Sequence, residues 1–271
     1  MDSVASQYCF NNEFDFIEII QQNHVCRGCT IEITPSTHGK SSFCYFVRVC
    51  DNEYIFKFPR TDFSAKTIAY EKTVTDFARN LVPLSIPNIS IEYADNRPFS
   101  VYQAIAGTNM SDVTLNEDES RLLSIELVQF IIRIHSMPLD NILFDIQNKK
   151  SSIELFCKDF NYSPCFSDVE DLLEENTLIH GDFHRSNILL DKNKKPSGIL
   201  DFATFSTGSI YFDLGQMIFS MTNPFNNIFL DEYEKATGIP VNTEKLQRVV
   251  WFLDDMINGH YLPFIMRGQH V

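Results

Sequence analysis

Residues 177–202, TLIHGDFHRSNILLDKNKKPSGILDF, constrain the fold more than any other part of the chain. An apolar lead-in, Leu178 and Ile179, delivers His180-Gly181-Asp182. Asn187 stands five residues beyond that aspartate, and the apolar run Ile188, Leu189, Leu190 follows it. A polar turn covers 191–196, and a second apolar run, 198–200, ends at Asp201. Short apolar runs bounded by turn residues read as strands. A lone Asp or Asn in such a place is ordinary turn chemistry. The full spacing, with a strand on each side, instead predicts a loop that brings Asp182, Asn187 and Asp201 together.

Those three side chains suit phosphoryl transfer from a nucleotide, which needs a positioned hydroxyl, a cation on the phosphates and stabilised charge. Asp182 would accept or orient the hydroxyl proton. Asn187 offers an amide oxygen and Asp201 a carboxylate, both fit for a hard cation that keeps waters. The order Asp-x4-Asn, then Asp-Phe after a short hairpin, mirrors the catalytic and metal loops of kinases.

Size and charge narrow the alternatives. A chain of 271 residues can hold one large domain or two lobes with a sizeable core. Hydrophobic residues make up 44% and charged ones 21%, as in a globular protein. The net charge of −14, from 22 basic and 36 acidic residues, disfavours nucleic-acid binding, which needs clustered Lys and Arg. It suits a cationic small-molecule partner, although acidity also serves solubility alone. Seven cysteines is an odd number; Cys26-x-x-Cys29 lacks two further ligands at zinc spacing, so reduced thiols are expected. No signal-peptide pattern and no run of 18 apolar residues is present, so no membrane partner and a cytoplasmic location are expected.

Upstream, residues 14–21 suggest a short amphipathic helix, and residues 30–34, 42–50 and 53–58 alternate like three strands. Gly39-Lys40-Ser41 looks like the end of a P-loop, but Thr34 stands where the leading glycine belongs and the next segment reads as a strand. The third strand carries Lys57 between Phe56 and Phe58. It either faces solvent or pairs with phosphates and a helix glutamate, for which Glu71 in the helical stretch 65–81 is the candidate. Strands are expected at 89–93 and 99–105, and a helix over 118–137 with Asp118 as its cap. Further helices are expected within 149–175 and at 212–221, 229–237 and 243–257.

Two motifs carry a resemblance. His-Gly-Asp-x-His-x-x-Asn-Ile-Leu followed by Ile-Leu-Asp-Phe resembles the aminoglycoside phosphotransferase and choline kinase-like superfamily. Protein kinases usually carry His-Arg-Asp and Asp-Phe-Gly, and here Ala203 stands in place of that glycine. Phe56-Lys57-Phe58-Pro59-Arg60, with Glu71 downstream, closely resembles the 2″-type aminoglycoside phosphotransferases. The likeness covers about residues 30–225.

It implies a bilobal, protein-kinase-like α+β fold: a small antiparallel sheet in a nucleotide-binding lobe, 1–105, and a mainly helical catalytic lobe, 106–271, with a hinge at 103–108. It implies Mg²⁺ on Asn187 and Asp201, ATP or GTP as donor, and Asp182 as base or orienter. Lys57, held by Glu71, would grip phosphates; Ser41 and Ser42 lie in the hairpin that would cover them. Backbone near Gln103 and Ile105 would meet the purine edge, with Leu189 and Leu200 as the floor beneath the base. Asp231, Glu232, Glu234, Asp254 and Asp255 are candidates for ammonium groups of the acceptor. His135 and His180 are read as structural, while the roles of His184 and Arg185 stay open. Ser209 and Ile210 depart from the usual Gly-Asp-Pro-x-x-Asp-Leu, and Asp213 remains to cap a helix or brace the loop. An aminoglycoside is the leading acceptor and a monomer is expected. The alternatives are a metabolic kinase for an amino alcohol or sugar, or a nucleotide-binding regulatory protein without transfer activity.

Overall fold

The alternating stretches of the first hundred residues form a single antiparallel sheet in the computed structural model. Its strands are β1 (Ile31–Pro35), β2 (Ser42–Val49), β3 (Asn52–Pro59), β4 (Ser90–Ala94) and β5 (Arg97–Gln103), in the order β1-β2-β3-β5-β4. The structure describes residues 9–11, 14–36, 41–159 and 162–258. Residues 37–40 of the expected phosphate hairpin therefore lie outside the described residues. Chain contacts divide into two compact units, Met1–Asp76 with Pro87–Ala104 and Phe77–Ile86 with Ile105–Val271.

In the first unit, period-two alternation decides what is buried. Phe56 and Phe58 of β3 are completely buried on one face, and Lys57 between them turns to the other. Phe58 stacks on Phe99 of β5 with centroids 4.8 Å apart, and Phe10 and Phe16 close over it at 5.1 and 5.0 Å. The short helix α1 (Phe16–Gln22) contributes Phe16 and Ile20 to this core. Truncating Phe58 to alanine leaves a cavity in an aromatic cluster and is expected to cost about 3–5 kcal/mol. A urea titration would show it as a lower midpoint with unchanged slope.

The helix α2 (Asp62–Ala78) begins three residues before the apolar periodicity suggests. The Thr61 hydroxyl accepts the Ser64 N–H at 3.3 Å, a cap that draws the polar first turn into the helix.

The second unit is mainly helical. Two short strands, β6 (Thr108–Asn109) and β7 (Thr177–Ile179), precede β8 (Ile188–Leu190), β9 (Pro196–Ile199) and β10 (Ser206–Gly208). They form the ribbons β6-β8-β9 and β10-β7. The long helix α3 (Glu117–His135) buries Leu123, Leu127, Phe130, Ile131 and Ile134, an apolar stripe at helical spacing. Its cap is Asn116 rather than Asp118. The Asn116 side chain accepts the Glu119 N–H at 2.9 Å while the Glu119 carboxylate accepts the Asn116 N–H at 2.8 Å, a reciprocal capping box that leaves Asp118 inside the first turn.

The remaining helices are α4 (Lys149–Lys158), α5 (Glu170–Leu173), α6 (Tyr211–Ser220), α7 (Phe225–Thr237) and α8 (Thr243–Asn258). The acidic run around α5 is more than a solvated face. Asp171 pairs with Arg248 and Glu175 accepts from Lys245 at 2.8 Å, which ties it to α8.

Candidate active site

Pairing of β7 with β10 (Ile179 opposite Ser206) carries the chain to His180-Gly181-Asp182. Gly181 sits at φ 81°, and a Cβ there would collide with the Thr204 carbonyl, so glycine is required. The backbone of this turn is held by Asp213 from the first turn of α6. The fully buried carboxylate accepts the Gly181 N–H at 2.7 Å and the His180 N–H at 2.9 Å. It also lies 3.1 Å from His135 Nε2. Tyr233 Oη is 3.2 Å from His135 Nδ1; with the hydroxyl donating there, Nε2 carries the proton that Asp213 accepts. Asp213 is thus a brace of the loop; α6 has no side-chain cap. His180 is buried against Phe202 at 4.5 Å, and burial pushes its imidazole below the usual range, which keeps it neutral. Its Nδ1 accepts the Asp182 N–H at 3.3 Å.

Asp182, Asn187 and His184 form one cluster. Asn187 Nδ2 donates to the Asp182 carbonyl at 2.9 Å and to its carboxylate at 3.0 Å. With its amide hydrogens turned that way, the Asn187 side-chain oxygen is the atom left for a cation. The Leu200 N–H donates to the Asn187 carbonyl at 2.8 Å, which sets Asp201 beside the loop. Asp201 itself lies at φ 61°, a left-handed conformation that costs a non-glycine residue about 1–3 kcal/mol and occurs often at functional sites.

His184 Nε2 is 3.3 Å from the Asp182 carboxylate, while its Nδ1 accepts the Ser186 N–H at 3.2 Å. The neutral ring therefore carries its proton on the side of Asp182. Burial favours the neutral imidazole, but the Asp182 and Asp201 charges outweigh it and raise the His184 pKa. Burial likewise opposes ionisation of Asp182, yet His184 and then Lys149 hold that carboxyl far below the usual carboxylate range. Asp182 is an anion at neutral pH, ready to accept a proton or align its donor.

The other sequence candidates fall into place individually. In the first unit, Lys57 Nζ donates to Glu71 at 3.3 and 3.4 Å, and both side chains are largely buried. The lysine therefore faces α2 rather than open solvent. The Ser41 carbonyl accepts from Arg60 N–H and Ser64 Oγ, and Ser42 is buried within β2. Gln103 donates to Asn52 at 3.3 Å, and the Ala104 N–H donates to the Glu53 carbonyl at 2.8 Å.

In the second unit, Leu189 and Leu200 are partly exposed beside the fully buried Ile188 and Ile199. Ile105 packs over Gly198, where a Cβ would press on its side chain. Glu232 accepts from Arg121 at 3.1 Å and Lys235 at 2.8 Å, and Glu234 accepts the Val241 N–H at 2.6 Å. Asp255 accepts from Tyr162 at 3.1 Å; Asp231 and Asp254 are exposed. Arg185 has its N–H on the Ser220 hydroxyl, and its Nε is buried with no hydrogen-bond partner among the described residues. The Cys26 and Cys29 thiols are free, the first buried and the second exposed. Among the described residues, no helix is long and apolar enough to cross a membrane.

One residue of the cluster has no sequence signature. Lys149, first in α4, is buried and donates to the Gly181 carbonyl at 2.5 Å. Nothing in its local sequence, NKKSS, distinguishes it from an exposed lysine.

The sequence pattern of the phosphotransferase enzyme family matches residues 32–151 and 166–249, and the chain belongs to that family. It is a kinase-type phosphotransferase that acts on hydroxyl groups. Its backbone is similar to that of aminoglycoside 2'-phosphotransferase-IIIa in a GDP complex, with a TM-score of 0.70 at 16% identity, covering 95% of this chain and 96% of that one. It is similar to APH(2")-IIa in a ternary complex with streptomycin and ATP, with a TM-score of 0.62 at 20% identity, covering 93% and 92%. It is similar as well to the macrolide 2'-phosphotransferase MphH from Brachybacterium faecium, with a TM-score of 0.60 at 14% identity, covering 90% and 89%.

Proposed function

We propose that this protein transfers the γ-phosphate of ATP or GTP to a hydroxyl of an aminoglycoside. The observation that carries the reading is the Asp182–His184–Asn187 cluster, an ionised carboxylate locked by a neighbouring amide at the turn after β7. Asp182 takes the proton of the acceptor hydroxyl as its oxygen bonds to the γ-phosphorus. The bond from that phosphorus to the bridging oxygen breaks, and the nucleoside diphosphate leaves with the electron pair.

Mg²⁺ fits the donor set: the Asn187 amide oxygen and the Asp201 carboxylate, both oxygen ligands suited to a hard cation, would hold it. The bound ion would neutralise charge on the phosphates. Lys57, fixed by Glu71, grips the nucleotide phosphates, with backbone near Ser41 and Ser42 alongside. Gln103, Ile105, Leu189 and Leu200 serve the base as the resemblance implies. The residue range 1–105 takes the nucleotide-binding role, and 106–271 the catalytic and acceptor-binding roles. The protein works as a cytoplasmic monomer, with its nucleotide substrates at hand.

An aminoglycoside is favoured by the Phe-Lys-Phe-Pro-Arg segment, by the net charge of −14, and by neighbours whose complexes hold GDP, ATP or streptomycin. Asp231, Glu232, Glu234 and Asp254 are the carboxylates we assign to acceptor ammonium groups.

The test is Mg²⁺-dependent diphosphate release with ATP and with GTP, over aminoglycosides, a macrolide, choline, ethanolamine and simple sugars. Stimulation by an aminoglycoside supports the reading; stimulation by choline or a sugar alone replaces it with a metabolic kinase. Lys57→Ala is expected to raise the nucleotide KM by about 10–100-fold, the worth of one charge-assisted hydrogen bond of roughly 1.5–3 kcal/mol. An unchanged KM would remove Lys57 from the phosphate site.

A further inference from the structure

Lys149 is 4% exposed, and burying an ammonium is costly unless carboxylates and hydrogen bonds compensate it. Its hydrogen-bond acceptor is the Gly181 carbonyl at 2.5 Å, and the Phe212 ring centroid lies 5.7 Å away. Burial lowers its pKa from the usual lysine range, against the Asp182 and Asp213 carboxylates, which favour the charged form. On β10, a Cβ at Gly208 would approach the Lys149 Cβ to 3.0 Å, so the absence of a side chain there makes room for the lysine stem.

The choice of acceptor matters. The Gly181 carbonyl and the Asp182 N–H belong to one planar peptide group. That N–H donates to His180 Nδ1, and the preceding peptide's N–H, on Gly181, is held by Asp213. Two successive peptides of the turn are thus clamped: one by Asp213, the other by Lys149 and His180. Only the second leads directly into the Asp182 side chain.

We propose that Lys149 is a positioning residue for phosphoryl transfer: through the hydrogen bond that its Nζ donates to the Gly181 carbonyl, it sets the orientation of the peptide that carries Asp182. The kinetic consequence rests on the phosphotransferase reading above; the clamp on the turn does not.

The experiment measures amide hydrogen exchange along the chain, and steady-state kinetics, for wild type, Lys149→Met and Gly208→Ala. Methionine keeps the length and removes the Nζ donor. Alanine at 208 keeps the donor and crowds the stem, and carries the test if the methionine variant does not fold. In Lys149→Met, exchange at Gly181 and Asp182 is expected to rise at least about tenfold while the amides of α3 and α6 keep their rates, a local rather than global opening. Turnover is expected to fall about 10–100-fold, as for a misplaced reacting group, with the nucleotide KM within about threefold of wild type. Gly208→Ala should move both readouts the same way by less.

Exchange unchanged at the turn, or raised equally throughout the second unit, would overturn the proposal. If the turn responds but wild type transfers phosphate to no acceptor, the clamp stands and the phosphotransferase reading falls. If wild type transfers phosphate and neither variant changes the turn, the Lys149 proposal alone falls.

Discussion

Asparagine in place of Asp182 is expected to lower kcat for phosphoryl transfer by about 10²–10⁴-fold, the usual worth of a positioned general base. The substitution keeps the shape of the side chain and removes its charge. The carboxamide cannot take the hydroxyl proton, and it presents an NH₂ group toward donors that now face an anion. Asn187 Nδ2, 3.0 Å from that carboxylate, and His184 Nε2, 3.3 Å away, would lose a charged acceptor. The nucleotide KM should change little, because the Lys57–Glu71 pair is untouched. Stability should fall as well, since the charge that His184 and Lys149 favour in the folded protein is gone, and chemical denaturation separates that loss from the kinetic one. Steady-state kinetics against the acceptor that stimulates wild type reads the effect. Full turnover in the variant would mean that the proton leaves by another route and that Asp182 is an organiser of Asn187 alone.

Alanine at Asp213 is expected to be the most damaging single change in the second unit. Its carboxylate is completely buried and receives three donors: the His180 and Gly181 amides and His135 Nε2. Removing it strands all three inside the protein, and each orphaned donor costs about 1–3 kcal/mol. Some relaxation around the small cavity reduces the sum, so a loss of about 3–5 kcal/mol is expected. Activity should fall with it even where the protein remains folded, because the turn carrying Asp182 loses its anchor. Asparagine at 213 should fall between, since one oxygen still accepts while the NH₂ meets a donor. Chemical denaturation of the three proteins gives the order directly. An alanine variant as stable as wild type would show that the turn is held by its own strands.

The residues that could be read in advance share one property: their chemistry is at odds with their surroundings in the sequence. Lys57 between two phenylalanines of a strand has to find a partner or face solvent, and Glu71 lies at a helical distance that supplies one. Asp182 and Asn187 are polar residues between apolar runs, at a spacing that one tight turn and a 3-10 turn (Arg185–Asn187) can bring together. The five-stranded sheet was equally open to reading, since apolar and polar residues alternate and burial follows that period at Val47–Val49 of β2 and Phe56–Phe58 of β3, with Phe46 an exposed exception.

What stayed hidden depends on contacts between distant segments. Asp213 could have capped α6 from its position in the first turn; its bonds to amides 32 and 33 residues away exist only once α6 packs under the turn. Lys149 looks like any lysine at a helix start, and it is buried because Gly208 of β10 leaves space for its stem. The Asn116 cap was missed for a local reason. Both Asn116 and Asp118 can cap, and the reciprocal bond from Glu119 decides between them.

The measurement that bears most directly on the central claim is ³¹P NMR of wild-type protein with Mg²⁺, ATP or GTP, and a 4,6-linked aminoglycoside. The reading predicts that the γ-phosphate signal declines as a new phosphomonoester signal grows in equal amount, and that Asp182→Asn abolishes this growth. Nucleotide consumed only to inorganic phosphate at a rate independent of every acceptor, or a phosphomonoester formed at full rate by Asp182→Asn, would contradict it.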